Sequence, residues 1–250
     1  MIAVVDIGNT SCSFGFFRND KLVKTFKVPC SQIKEISKYY KQPKGLIEEF
    51  LVLSVNPPVK RKLCAWVRKN LNIKPKVAGR DFYFNIPVLL RKPETVGTDR
   101  LANALAGYQI YGGPLIVADF GSAVTFDVIS KKGEYLGGAI APGIMMSAKS
   151  LYEKTALLPF VKPFGKPEPI GKDTESAILS GLFFGFIGMT QKLIEEISIR
   201  LGEKPKVIAT GGDADFMAFA VPLIEKVVTD LTLRGALLAY QLDVTKKQRK

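Results

Sequence analysis

The chain has 250 residues, 47% of them apolar and 10% aromatic, and a formal net charge of +13. That is enough apolar material for one large domain or two small ones, and it argues against disorder. It has no histidine, which excludes Ser-His-Asp and Cys-His catalysis and His-ligated metals and leaves Asp or Glu as the general base.

The chain opens on a short apolar run, residues 2–5, that reads as a buried strand. It runs into Asp6-Ile7-Gly8-Asn9-Thr10, which does not belong in a core. A carboxylate at a strand's end can hold Mg²⁺ through water. Gly8 lets the backbone turn tightly, and Asn9, Thr10 and the N–H groups of such a turn make a place for an anion. Taken alone, the pattern is most often a strand ending in a turn. Residues 13–17 and 22–28 then flank the turn Arg18-Asn19-Asp20-Lys21 as a hairpin.

Residues 31–50 are lysine-rich and read as helical in part, and residues 51–55 form the next strand. Pro57 and Pro58 open a helix. Val59, Leu63, Trp66, Val67 and Leu71 lie on its inner face and Lys60, Arg61, Lys62, Arg68 and Lys69 outside. Trp66 reads as core rather than as a base-stacking platform. Val77 sits in a short strand, and residues 81–94 are irregular. Thr95-Val96-Gly97-Thr98-Asp99-Arg100 leads into an alanine-rich helix, residues 101–108. Locally, Thr98 or Asp99 reads as its cap, although a cap has no need of the neighbouring Arg.

Residues 115–118 followed by Asp119-Phe120-Gly121-Ser122-Ala123 repeat the opening pattern. Residues 124–129 and 135–141 then flank Ser130-Lys131-Lys132-Gly133, so the hairpin repeats too. The expected fold class is therefore α/β, with two similar domains, 1–110 and 111–250, facing each other across a cleft. Gly137-Gly138-Ala139-Ile140-Ala141-Pro142-Gly143 allows a close backbone approach. Residues 147–157 read as a helix and the proline-rich residues 159–171 as a loop. Asp173 caps a long apolar helix, residues 176–201, with Thr174 beside it. Residues 206–209 form a strand, and Thr210-Gly211-Gly212-Asp213-Ala214 is either a nucleotide-contact turn or an ordinary tight one. A last helix, residues 231–242, precedes a basic tail, 246–250, expected to be disordered.

The charge is uneven: residues 1–100 carry 19 Lys/Arg against 8 Asp/Glu. A basic half favours anionic ligands, or is simply a solvated face. Three unclustered cysteines fit a reducing, cytoplasmic setting and no zinc site. The uncharged run at residues 176–191 is shorter than the roughly 20 residues of a membrane span. The N-terminus does not read as a signal peptide.

Taken together, the two Asp-x-Gly units, the later Thr-Gly-Gly, Gly97-Thr98-Asp99-Arg100, the 137–143 run and Gly171-Lys172-Asp173-Thr174 resemble the type III pantothenate kinases. These belong to the actin/Hsp70/sugar-kinase ATPase superfamily, and the resemblance runs from Ile2 to about Leu242. It implies duplicated ribonuclease H-like (actin-like ATPase) domains with mixed sheets flanking a nucleotide cleft. It implies ATP-dependent phosphorylation of pantothenate to 4'-phosphopantothenate, the first step of coenzyme A biosynthesis. Asp6, Ile7, Gly8, Asn9, Thr10, Ser11, Cys12 and Ser13 would form the ATP-phosphate turn, with Ser122 also touching ATP. Gly97, Thr98, Asp99, Arg100 and Thr174 would hold pantothenate, with Asp99 the proton acceptor. Asp119 would bind a monovalent cation, K⁺ or NH₄⁺, and the enzyme would be a homodimer.

Two positions depart from the family's pattern. Ser122 stands where Thr is usual, keeping the hydroxyl, and Leu90 stands where many members place a Tyr against the substrate. The alternatives are another small-molecule kinase of the same fold, or a nucleic-acid-binding regulator, for which no helix-turn-helix, finger or RNP signature is present.

Overall fold

Alternation sets the first sheet. In β1 (Ile2–Ile7), Ala3, Val5 and Ile7 are buried on one face and Val4 on the other. β1 pairs antiparallel with β2 (Ser11–Arg18), which pairs antiparallel with β3 (Lys21–Pro29). On its other side β1 pairs parallel with β4 (Glu49–Ser54), and β4 with β5 (Lys76–Val77). The result is a mixed five-stranded sheet of order β3-β2-β1-β4-β5. The β2–β3 turn has Asn19 at φ 48° and Asp20 at φ 62°. Positive φ at both central positions is what a type I′ two-residue hairpin needs, and Asn and Asp tolerate it.

This computed structural model describes residues 1–41 and 46–248. The part of the 31–50 segment at 42–45 lies outside the described residues, as do 249–250 of the tail. A 3₁₀ turn (Cys30–Glu35) leads into the short α1 (Ile36–Tyr39). α2 (Pro57–Leu71) starts where Asn56 accepts the Val59 N–H at 3.3 Å, and it ends at Asn72 in the left-handed region. α1 and α2 cover the Ala3/Val5/Ile7 face through Ile36, Val59, Leu63 and Val67. Trp66 packs edge-on to Tyr40 and donates Nε1–H to Ser37 Oγ at 2.9 Å, a structural role. α3 (Thr98–Tyr111) covers the opposite face with Ala102 and Leu105 against Val4, Leu51 and Leu53.

The second sheet repeats the first strand for strand. β6 (Leu115–Phe120) pairs antiparallel with β7 (Ala123–Ile129), and β8 (Tyr135–Pro142) follows at the edge. α4 (Ile144–Lys154) and α5 (Thr174–Leu201) precede β9 (Lys206–Thr210), which pairs parallel with β6. α6 (Ala214–Ala220) and β10 (Lys226–Val227) complete the order β10-β9-β6-β7-β8. Ile116, Ala118, Phe120 and Phe126 pack against Ile144, Leu182, Phe186 and Met217. Asp173 and Ser176 exchange side-chain-to-backbone hydrogen bonds at 2.7 and 3.1 Å, a reciprocal cap at the start of α5.

Contrary to the expectation that no segment reaches membrane-spanning length, α5, at 28 residues, is long and apolar enough to cross a bilayer by length and composition. Lys192, Glu195 and Glu196 end the uncharged run but not the helix. Its Leu182, Phe186 and Ile194 are buried in the second unit's core.

α7 (Leu231–Gln248) differs from expectation twice. The chain divides into Met1–Ile110 with Gly133–Tyr135 and the segment from Asp230 onward, and Tyr111–Lys132 with Leu136–Thr229. α7 therefore belongs to the first unit, not to a 111–250 domain. Leu233, Ala236, Leu237 and Ala239 pack beside Val4, Leu51 and Ala102, and Thr232 Oγ1 donates to Asn103 Oδ1 at 2.8 Å. Close approach is possible because position 235 is glycine: a β-carbon there would overlap the Ala102 carbonyl. The helix also runs through residues 246–248, where disorder was expected. Lys and Gln are good helix formers, and Lys246 Nζ donates to Asn85 Oδ1 at 2.5 Å.

Candidate active site

Two acids occupy equivalent places. Asp6 is the penultimate residue of β1, flanked by Ser13 on β2 and Leu53 on β4. Asp119 is the penultimate residue of β6, flanked by Thr125 on β7 and Thr210 on β9. Each is followed by a glycine whose N–H closes the turn, Gly8 to Ser11 O at 3.0 Å and Gly121 to Ala123 O at 3.1 Å.

In the first turn Asn9 and Thr10 are exposed, and Asp6, Gly8, Ser11 and Ser13 are half-buried. Ile7 and Cys12 are fully buried, so their side chains support the turn rather than meet a ligand. Cys30, which the sequence did not single out, braces this turn. Its N–H donates to Thr10 O at 2.9 Å and its Sγ to Gly8 O at 3.4 Å.

Backbone lies directly against the second turn. Gly143 N–H donates to Ser122 O at 3.1 Å, and a β-carbon on Gly143 would come within 2.5 Å of Gly121 O. The close approach expected of the 137–143 run is thus onto the protein's own turn, and it leaves the Ser122 side chain exposed. Gly211, at φ +100°, lies over the same turn: a β-carbon there would sit 2.5 Å from Phe120 O and 2.6 Å from Asp119 Oδ1. Gly212 beside it faces open space.

At the start of α3, Gly97 O accepts the Leu101 N–H at 3.2 Å, so Gly97 holds the N-cap position. Thr98 and Asp99 lie inside the helix, contrary to the local reading of either as cap. Asp99 Oδ1 accepts the adjacent Arg100 N–H at 2.9 Å. Thr98 Oγ1 is buried with no hydrogen-bond partner among the described residues. The Arg100 guanidinium lies over the Tyr135 ring, 5.8 Å from its centroid. Tyr135 is fully buried. It is held by Leu89 N–H to its carbonyl at 2.9 Å and by its own N–H to Pro87 O at 2.8 Å. Leu90, half-buried, follows that bridge.

Thr174 is the exposed first residue of α5 and lines a groove of about 990 Å³ with Met146, Ser150, Ala177 and Gly181. No group of three or more metal-ligating side chains occurs among the described residues. A lone carboxylate such as Asp6 fits Mg²⁺ held mostly by phosphate and water. The exposed cations of α2, Arg61, Lys62, Arg68 and Lys69, lie on the face away from its buried Leu63 and Val67.

The family model described as type III pantothenate kinase matches residues 2–196. The chain belongs to the type III pantothenate kinase family. Type III pantothenate kinases of Geobacillus sp. and Moorella thermoacetica are 35% and 37% identical to it. The first alignment covers 99% of this chain and 100% of the relative, the second 96% and 99%. Among solved structures, a Baf family protein from Campylobacter jejuni superposes with a TM-score of 0.63 at 23% identity, covering 97% of this chain and 99% of that one. A ROK family glucokinase from Streptomyces griseus gives a TM-score of 0.54 at 13% identity, covering 96% and 99%.

At those identities the likeness is one of fold, and the fold is that of the actin-like ATPases and sugar kinases. Membership in the family defines the reaction: ATP-dependent phosphorylation of pantothenate in coenzyme A biosynthesis, with a divalent metal.

Proposed function

We propose that the phosphoryl transfer runs with Asp99 as the acceptor of the pantothenate hydroxyl proton. The observation that carries the assignment is the Thr98 hydroxyl, buried beside Asp99 without a protein partner among the described residues. A buried polar atom left without a partner calls for an explanation, and a substrate hydroxyl or amide supplies one. Arg100, held over Tyr135, pairs with the pantothenate carboxylate. Asp99 orients the alcohol and takes its proton as the bond to phosphorus forms. Thr174 adds a substrate contact from α5.

The amides and hydroxyls of residues 8–13 would bind the ATP phosphates, and Asp6 would hold Mg²⁺ through water. Bound there, it would supply neutralisation of charge on the phosphates. Ser122 contacts the nucleotide. Asp119 would hold K⁺ or NH₄⁺, since a carboxylate beside turn carbonyls is an oxygen donor set that a monovalent cation takes. The enzyme acts as a homodimer, a reading supported by the family resemblance.

Steady-state kinetics with each substrate varied separately test the assignment. Asp6→Asn is expected to raise KM for ATP, and Thr98→Val to raise KM for pantothenate. If each variant instead affected the other substrate, the assignment would be wrong.

A further inference from the structure

We propose that Cys12 and Cys30 form a peroxide-reactive thiol pair whose oxidation to a disulfide disables the phosphate turn. The inference rests on residues 6–13 being that turn.

Their sulfurs lie 3.8 Å apart although the residues are 18 apart in sequence. The β2–β3 hairpin brings them together: Cys12 faces Ile7 on β1, and Cys30 begins just beyond the end of β3. Free cysteines are often no more than small buried hydrophobes. Cys12 and Cys64 fit that description, being buried in the same core. Cys30 does not. It is half-exposed, and its hydrogen bonds to Gly8 O and Thr10 O go to the turn itself. Burial, and then the neighbouring Cys30, push the Cys12 thiol far above its ordinary pKa, so Cys12 is a poor first nucleophile and gives up its proton only as its sulfur attacks. The half-exposed Cys30 therefore meets an oxidant first.

The oxidant is a hydroperoxide. The Cys30 thiol gives up its proton, and its sulfur attacks a peroxide oxygen. An S–O bond forms, the O–O bond breaks, and the leaving alkoxide or hydroxide departs as alcohol or water with that proton. Cys12 sulfur then attacks the Cys30 sulfenic acid. An S–S bond forms, the S–O bond breaks, and hydroxide leaves as water with the Cys12 proton. The two sulfurs lose two electrons in total, and the peroxide gains them.

Closing 3.8 Å to a bond of about 2.0 Å moves the sulfurs together by nearly 2 Å. It also removes the S–H that Gly8 O accepts. The turn that positions the phosphates shifts with Cys30.

The test treats the intact protein with hydrogen peroxide, digests it without reductant and looks by mass spectrometry for a peptide pair joined through Cys12 and Cys30. ATP kinetics are measured before treatment, after it, and after dithiothreitol. The expected result is a joined pair and a fall in kcat/KM for ATP of about 10- to 100-fold, the scale of an ångström-sized misplacement, reversed by the reductant. Cys30→Ser keeps a hydroxyl donor toward Gly8 and cannot cross-link, so peroxide should leave it at its own untreated kcat/KM. The proposal is overturned if no joined pair forms, if the joined protein keeps its ATP kinetics, or if Cys30→Ser is inactivated equally. Asp6→Asn, kept reduced, separates the two readings. If it raises KM for ATP while the joined protein is normal, only the thiol inference fails. If it leaves KM for ATP unchanged, both fall.

Discussion

A β-carbon on Gly97 would overlap Asp99 Oδ1. The missing side chain at the N-cap of α3 is what leaves room for the Asp99 carboxylate where it stands. The obstacle is the end of a short side chain, not backbone, so Gly97→Ala is accommodated by rotating that carboxylate. The variant should melt near the parent temperature and lose up to about 10²-fold in kcat, as expected for a displaced catalytic group. Thermal denaturation measured beside kcat checks both halves.

Asp99→Asn separates catalysis from structure. Because Gly97 holds the cap position, the change costs no cap, and Asn can still accept the Arg100 N–H. General base catalysis is typically worth about 10²–10⁴-fold. The variant should keep its melting temperature and its ATP binding and lose at least about 10²-fold in kcat. Near-normal turnover would remove Asp99 from the mechanism.

Gly211 and Gly212 should respond differently to the same substitution. Gly211→Ala forces a side chain into the left-handed region and against the Phe120 backbone. A strained position of that kind costs about 1–3 kcal/mol, and a lower denaturation midpoint would register it. Gly212→Ala meets nothing and should leave stability alone while raising KM for ATP, because a methyl group obstructs the nucleotide's approach to the turn. Unchanged ATP kinetics in Gly212→Ala would make the Gly-Gly pair a structural turn only.

Turnover should require K⁺ or NH₄⁺ and be poor in Na⁺ alone. Asp119→Asn should raise the K⁺ concentration needed for half-maximal rate, since it removes the charge proposed to hold the cation. Rates in matched chloride salts test this, and equal rates in sodium and potassium for the parent protein would count against the role of Asp119.

Asp81 gives a pH signature outside the site. The Arg80 guanidinium, 2.6 Å away, and the Val77 N–H, 2.8 Å away, hold its carboxyl below the ordinary value against the opposing effect of burial. A depressed folded-state pKa contributes stability above the ordinary carboxylate value, and that contribution is lost as pH falls through the folded value. The Arg80 partner is mostly exposed, so the effect is small. The melting-temperature gap between the parent and Asp81→Asn should be greatest near neutral pH and close on acidification. A gap that widened in acid would contradict the assignment.

Short-range chemistry was legible in the sequence. The duplicated strand, Asp-x-Gly turn and hairpin appear as two sheets of the same strand order because alternation and turn residues act over a few positions. The Asp173 cap likewise depends on neighbours within one turn of helix. What the tertiary structure decided is who meets whom across long separations. Nothing local to α7 marks which sheet Leu233 and Leu237 pack against; they lie beside Val4 and Leu51, with Gly235 close against Ala102. Tyr135 reaches Arg100 because residues 87–89 bridge to it, a pairing no local pattern encodes. Cys12 and Cys30 meet through the register of β2 on β3. Local propensity is a property of adjacent residues, whereas these partners are chosen by packing, which exists only once the chain has closed on itself.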